Sequence, residues 1–172
     1  DSISEHYDSR VSSDAPSFEV LDWGSAEEQH RRFNVLFEIL REETAEPGRV
    51  NRPLAILDVG CGLGDLDAFL EERGLPTRYV GVDIAPGVLA EARRRRPEAE
   101  FVLADLFEES PFQPRSFDVV FSSGVFNLRL GDNQAFAVRA LPRLYALCSQ
   151  LLMVNFLHER TPDKYEHCWY FS

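Results

Sequence analysis

Between residues 54 and 157, short apolar segments alternate with segments whose apolar residues recur at helical spacing. Strands are predicted at 54–59, 78–82, 100–104, 117–122 and 150–157, and helices at 64–73, 86–96 and 132–148. Strands that alternate with helices form a parallel sheet with helices on both of its faces. The alternation therefore predicts an α/β fold built on a doubly wound, mostly parallel sheet.

One domain with an N-terminal lid is expected. A chain of 172 residues, of which 44% are hydrophobic, can bury a sizeable core, and it contains no internal repeat or linker. Residues 1–24 are polar and turn-rich but carry Tyr7, Phe18 and Trp23, so we predict that they fold over the domain at 25–172. The first helix of that domain is predicted to begin with a capping box, Ser-Ala-Glu-Glu, and to end near a Pro-Gly pair.

The acidic composition argues against a nucleic-acid partner. The formal net charge is -11 at pH 7, whereas affinity for a polyanion comes largely from Lys and Arg side chains. The four arginines at 93–96 precede Pro97, and we expect them to spread round a helix end instead of forming an anion patch. Composition therefore favours a small-molecule substrate.

Cysteine usage and hydropathy indicate the cellular compartment in which the protein is expected. Cys61, Cys148 and Cys168 form an odd set without metal-site or disulfide spacing, which favours a reducing compartment, by default the cytoplasm. The apolar runs are too short to span a bilayer, so no membrane association is expected. A homodimer is left open.

The sequence LDVGCGLGD, residues 57–65, places three glycines at alternate positions directly after an apolar strand. Such glycines let a ligand lie against the peptide backbone. The dinucleotide pattern G-x-G-x-x-G requires a third glycine where this chain has Asp65. Asp58 lies inside the apolar strand, and a buried carboxylate needs a cationic or hydrogen-bonding partner. These two acids disfavour a nicotinamide cofactor and favour a ligand with a positive group.

Two further acids follow the next strands. Asp83 ends the second strand, where a carboxylate can bind both hydroxyls of a ribose; an Asp that caps the following helix would look the same. Asp105 ends the third strand, where it can accept the exocyclic amine of an adenine while the next backbone N–H meets the ring; an ordinary turn Asp is the alternative. Together with Asp58 and the glycines, they indicate an adenosine with a cationic amino-acid tail, which is S-adenosylmethionine.

At residues 20–157 the chain resembles the class I S-adenosylmethionine-dependent methyltransferases. The segments LDVGCGLG, YVGVDIAPGVLAEAR, FVLADL and SFDVVFSSGVF are similar to the glycine-rich, ribose-binding, adenine-binding and methyl-side motifs of that family. The resemblance implies a Rossmann-like sheet with S-adenosylmethionine as cofactor and S-adenosylhomocysteine as product. The candidate cofactor-binding residues are Arg32, Asp58, Gly60, Cys61, Gly62, Gly64, Asp83, Ile84, Asp105, Leu106, Ser122 and Ser123.

Methyl transfer from a sulfonium is an in-line displacement, so the protein has mainly to align the reactants and exclude water. We expect no metal, because His158, His167 and Cys168 match no zinc pattern. The chain lacks a Pro-Cys or Asn-Pro-Pro-Tyr sequence after the fourth strand, which argues against macromolecular acceptors. The candidate acceptor-facing residues are Tyr7, Trp23, Phe126, Asn127 and His158. No catalytic residue is assigned.

Two alternatives to a small-molecule methyltransferase stay open. A methyltransferase-like domain could bind the cofactor and act as a partner or sensor without turnover, and an NAD-dependent oxidoreductase is the less favoured enzyme. Members of the resembled family continue after the fifth strand with a helix and an antiparallel strand pair. We expect these C-terminal strands to be missing from this chain, which ends at Ser172.

Overall fold

The computed structural model describes residues 3–11, 16–21, 25–44, 52–162 and 164–172. Five strands form one sheet in the order β3-β2-β1-β4-β5, and every strand pair is parallel. The strands are β1 (Leu54–Val59), β2 (Thr77–Asp83), β3 (Glu100–Leu103), β4 (Phe117–Ser122) and β5 (Cys148–Val154). The predicted parallel, doubly wound sheet is confirmed. The strand order reverses between β1 and β4, which is where such sheets bind ligands.

Six helices surround the sheet in the described part of the chain: α1 (Ile3–Asp8), α2 (Ser17–Val20), α3 (Ala26–Thr44), α4 (Asp65–Glu72), α5 (Pro86–Arg95) and α6 (Asn133–Leu147). Ser25 acts as the predicted N-cap, since the backbone N–H of Glu28 donates to Ser25 Oγ at 3.2 Å; this is one of the two bonds of a capping box. The predicted end of the first helix lies outside the described residues. Two short helices, α1 and α2, lie in the segment that the sequence predicted only as turn-rich.

The sheet separates two apolar clusters, and β1 supplies side chains to both. Ile56 packs on one face with Phe33 of α3 and Leu66 of α4, whereas Leu57 packs on the other face with Leu144 of α6. All six side chains of β1 are buried, as expected for the central strand of a parallel sheet. Because successive side chains alternate between faces, Asp58 belongs to the α3 face.

The arginines at 93–96 end α5 as predicted. Arg94 and Arg95 both bond to the carboxylate of Glu91, and Arg96 bonds to Asp67 on α4 at 2.7 Å. Three of the four arginines thus bond to carboxylates within and between helices, which disfavours an anion patch. Among the described helices, none combines the length and the apolar character that a bilayer crossing requires.

β3 and β5 are the edge strands of the described sheet. The expectation that the C-terminal strands of the resembled family are missing from this chain stays a prediction.

Candidate functional site

A cavity of about 470 Å³ lies at the carboxyl ends of β1 to β4. Its wall includes the glycine loop after β1, the tips of β2 and β3, the loop after β4, and one face of α6. The predicted cofactor residues on this wall are Gly60, Gly62, Asp83, Ile84, Asp105, Leu106 and Ser123. Asp83 and Asp105 thus line one cavity, at the edge of the sheet where the strand order reverses between β1 and β4.

The glycine loop can form because its glycines adopt positive φ angles. Gly60 has φ 72° and Gly62 has φ 55°, a region that residues with a side chain rarely adopt. The backbone N–H groups of Gly60 and Cys61 donate to the carbonyl of Val82 on β2, at 2.8 and 3.0 Å. A Cβ atom at Gly62 would meet the side chain of Leu21. The loop is thus fixed against β2, and its bare backbone faces the cavity.

Asp83 joins the glycine loop to the start of α5. Its Oδ2 atom accepts the N–H of Gly62 at 3.1 Å, and its Oδ1 atom accepts the N–H of Ala85 at 3.0 Å. Burial raises the pKa of this carboxyl, and the bonds from the backbone oppose the rise. Asp83 thus bonds to Ala85, the N-cap residue of α5, without itself being the helix cap, and it lines the cavity.

Asp105 and Leu106 form the third strand tip of the site. Asp105 is exposed, and its Oδ1 atom accepts the N–H of Phe107 at 2.9 Å in a local turn. Leu106 is buried beside it on the cavity wall. The turn interpretation is thus correct for one oxygen of Asp105, and the residue also lines the cavity.

Asp58 lies behind the glycine loop, on the α3 face of the sheet, and is 4% exposed. Its Oδ2 atom accepts a 2.8 Å hydrogen bond from the hydroxyl of Tyr79. Burial raises the pKa of Asp58 to about 7; the bond from Tyr79 opposes the rise, and the charge of Asp83 adds to it. The partner that a buried carboxylate requires is thus a tyrosine in this structure.

Three other predicted cofactor residues also lie off the described cavity wall. Cys61 is buried beneath the glycine loop, where burial raises the pKa of its thiol well above the usual range. Gly64 precedes α4 at φ 80°. The Ser122 hydroxyl donates to the carbonyl of Val59 at 3.2 Å and so ties β4 to β1. In this structure these residues support the loop from behind.

From the segment predicted as a lid, Tyr7 and Leu21 line the cavity. Asp8 anchors α1 by accepting the N–H of Val88 at the start of α5, at 3.0 Å. Asp65 anchors the segment that follows, because its carboxylate accepts bonds from the hydroxyl of Ser17 at 2.8 Å and from the amide of a glutamine on α3 at 2.9 Å. The carboxylate that argues against a dinucleotide thus binds α2 and α3 side chains.

Arg32 lies half-buried on α3, off the described wall of the cavity. Burial lowers the pKa of its guanidinium, and the charges of Glu28 and Cys168 oppose that shift. The assignment of Arg32 to the cofactor therefore stays a prediction.

The candidate acceptor-facing residues are spread over several places. Tyr7 lines the cavity, and Trp23 lies outside the described residues. Phe126 is fully buried in the α6-side core, where its ring packs against Phe136 at 5.4 Å. Asn127 is half-buried in the loop after β4. His158 is exposed, and its Nδ1 atom accepts a backbone N–H at 3.0 Å.

Part of the cavity wall was not predicted. Phe107, Leu128, Phe136, Arg139 and Arg143 line the end that lies toward α6. The helical period of α6 could have indicated which of its residues face the sheet. Only the packing of the helix shows that this face extends to the cavity.

A family model described as a methyltransferase domain matches residues 56–147. The chain belongs to the class I S-adenosylmethionine-dependent methyltransferase family. Bos taurus 18S rRNA (guanine-N(7))-methyltransferase is 33% identical over 104 residues, which are 60% of this chain and 36% of that protein. Trans-aconitate 2-methyltransferase of Escherichia coli O1:K1 / APEC is 38% identical over 110 residues, which are 64% of this chain and 40% of that protein. The chain thus spans less than half the length of either relative.

The fold of this family is also found among solved structures. Streptomyces venezuelae DesVI has a TM-score of 0.59 to this chain at 20% sequence identity, covering 84% of this chain and 58% of that one. The class I methyltransferase architecture, a Rossmann-like parallel sheet between helices, is thereby confirmed. In the described part of the chain, no three His, Cys, Asp or Glu side chains group as a metal site requires. The expectation of metal-free chemistry stays a prediction.

Proposed function

We propose that the protein transfers a methyl group from S-adenosylmethionine to a small-molecule acceptor. The observation that carries the proposal is the cavity wall, where the bare backbone of Gly60 and Gly62 adjoins the carboxylates of Asp83 and Asp105. The volume of about 470 Å³ lies in the usual range of small-molecule sites, about 300–1,000 Å³. Membership of the methyltransferase family supports the same activity.

The nucleoside end of the cofactor fits the strand tips. Each oxygen of Asp83 accepts one backbone bond, and an ionised carboxylate has about four acceptor sites, so sites remain for two ribose hydroxyls. One oxygen of Asp105 accepts the N–H of Phe107, and we assign the other to the exocyclic amine of adenine. The backbone N–H of Leu106 and the side chain of Ile84 are assigned to the adenine ring.

The methionine end is assigned to the glycine loop. Gly60 and Gly62 would lie under the amino-acid part, with Asp58 near its amine and Arg32 near its carboxylate. A positive amine favours the ionised form of the Asp58 carboxyl, whose pKa of about 7 leaves it half-protonated at neutral pH. For Arg32, partial burial of a guanidinium supports a role in binding an anionic group.

When bound, the sulfonium supplies an activated methyl group, so the chain contributes alignment and exclusion of water. The lid suits the second task, because Leu21 lies over Gly62 and Tyr7 lines the cavity. Ser123 and Asn127, in the loop after β4, are assigned to the methyl and acceptor side, with His158 as a further candidate. Trp23 and Phe126 stay acceptor-facing candidates from the sequence.

The net charge supports one class of acceptor over another. The two curated relatives are named for 18S rRNA and for trans-aconitate, so both a nucleic acid and a small acid must be considered. A net charge of -11 and the pairing of the arginines that end α5 weaken affinity for RNA. We therefore favour a small molecule over a nucleic acid. Three buried free cysteines support a reducing, cytoplasmic compartment.

A thermal-shift measurement tests the cofactor, and a turnover panel tests the reaction. S-adenosylmethionine and S-adenosylhomocysteine should raise the melting temperature, whereas NAD should not. Methyl transfer should then be detected with a panel of small metabolites and not with ribosomal RNA. Stabilisation by NAD alone would refute the cofactor assignment. Cofactor binding without turnover on either panel would leave a partner or sensor role in place of the enzyme.

A further inference from the structure

The C-terminal segment 164–172, here called the strap, lies across the carboxyl ends of β4 and β5. The backbone N–H of Trp169 donates to the carbonyl of Asn127 at 2.7 Å, and the N–H of Arg129 donates to that of His167 at 2.9 Å. The other end of the strap is also fixed, because the N–H of Phe171 donates to the carbonyl of residue 157 at 2.8 Å. The strap and the loop after β4 thus form one hydrogen-bonded unit.

This unit contains three buried polar atoms that lack a hydrogen-bond partner in the described part of the chain. They are Oγ of Ser123, Oδ1 of Asn127 and Nε1 of Trp169. Ser123 is 8% exposed and lines the cavity. A turn joins it to Asn127, whose N–H donates to the carbonyl of Gly124 at 2.9 Å. A buried polar group without a partner destabilises a fold, so three in one unit point to a ligand that supplies their partners.

The chemistry of the three atoms restricts that ligand. The indole N–H of Trp169 can only donate, the amide oxygen of Asn127 can only accept, and the hydroxyl of Ser123 can do both. A hydroxyl group is the simplest group that accepts from the first and donates to the second. Near Ser123 the cavity wall carries the apolar side chains of Val125 and Leu128, and Arg139 and Arg143 line it toward α6.

We propose that the strap and the loop after β4 form the acceptor subsite, and that this subsite anchors a hydroxyl group on an apolar frame. Trp169 and Asn127 bind the hydroxyl, and Ser123 connects the subsite to the cavity. The proposal rests on the proposed function in one respect, the presence of the methyl donor in the adjoining cavity. It makes the strap a specificity element of the enzyme.

The test uses benzyl alcohol and toluene as matched probes, added to the whole chain with S-adenosylhomocysteine present. The ¹H–¹⁵N indole signals of the two tryptophans are followed, and the Trp169→Phe variant assigns them. Benzyl alcohol should shift the Trp169 signal and bind more tightly than toluene. This preference should fall about threefold to tenfold in Trp169→Phe and in Asn127→Ala. A substitution that only changed the packing would weaken the binding of both probes equally.

Tyr165→Phe is the control, because it removes an exposed hydroxyl from the same strap and should leave the preference unchanged. Equal binding of the two probes, no binding of either, or a preference that survives in Trp169→Phe would overturn the proposal. A thermal shift with S-adenosylhomocysteine alone separates the two inferences. If the shift is absent while benzyl alcohol moves the Trp169 signal, the subsite stands and the proposed function fails.

Discussion

Replacing Asp58 by Asn tests how the protein tolerates a buried carboxyl behind its glycine loop. The folded chain raises the pKa of Asp58 from 3.8 to about 7, chiefly because burial disfavours the charged form. Between these values the folded state holds a proton that the unfolded state has released. Asp58 therefore lowers the free energy of unfolding as pH rises from about 4 to 7, and the loss is complete above pH 7. An Asn at this position keeps an oxygen for the Tyr79 hydroxyl but cannot ionise.

The magnitude follows from the two pKa values. Their separation corresponds to about 4 kcal/mol over the full range of pH, and about 2.5 kcal/mol of this falls between pH 5 and pH 8. We expect Asp58→Asn to gain about 2.5 kcal/mol in unfolding free energy relative to the wild type when both are moved from pH 5 to pH 8. The unchanged carboxyls, including Asp83, contribute to both proteins and largely cancel in this comparison.

Urea denaturation followed by tryptophan fluorescence at both pH values measures the difference. A change below about 1 kcal/mol between pH 5 and pH 8 would show that Asp58 is ionised at ordinary pH, and the argument from burial would fail. The same pair of proteins tests the amine assignment. A cationic amine near Asp58 should make wild-type affinity for S-adenosylmethionine rise as pH increases through 7, whereas the affinity of Asp58→Asn should not follow this rise. Parallel pH profiles would refute that assignment.

Three further predictions address the cofactor, metal dependence and the lid. Asp83→Asn should keep a backbone bond at the glycine loop yet weaken S-adenosylmethionine binding by about 1.5–3 kcal/mol in calorimetry; unchanged affinity would refute the ribose assignment. Turnover should persist in EDTA, and a loss that a divalent ion restores would contradict metal-free chemistry. Deleting residues 1–24, which removes Tyr7 and Leu21 from the cavity, should abolish turnover while circular dichroism shows a folded sheet. Full activity of the deletion variant would exclude a lid.

Sequence reasoning predicted the strands well where burial is continuous. β1 has the predicted bounds of 54–59, because an unbroken apolar run between turn residues defines a buried strand. The prediction for β5 was 150–157, but the strand is Cys148–Val154. It starts earlier because Cys148 pairs with Phe117 directly after α6, and it ends earlier because the side chain of Asn155 turns to the N–H of Gly124. The ends of β5 therefore depend on its pairing with β4, which the sequence of β5 alone does not show.

The site, too, has features that depend on local sequence and features that depend on tertiary packing. The sequence by itself determined the alternation of strands and helices, the bare loop at Gly60 and Gly62, and the acids at the strand tips. These features depend on residues that are close in the sequence, because hydrophobic period and turn residues define each strand and helix. Parallel strands then bring their carboxyl ends to one edge of the sheet. It also fixed the family, because the spacing of Asp83 and Asp105 from the loop is a property of the chain alone.

The tertiary structure decided which distant segments complete the site. Asp65 accepts a hydrogen bond from Ser17, Leu21 covers Gly62, and Trp169 bonds to the loop after β4. No periodicity relates these partners, because each contact forms only after the sheet and helices have packed. Local sequence patterns predict which residues are buried, but they do not predict which buried residues contact each other.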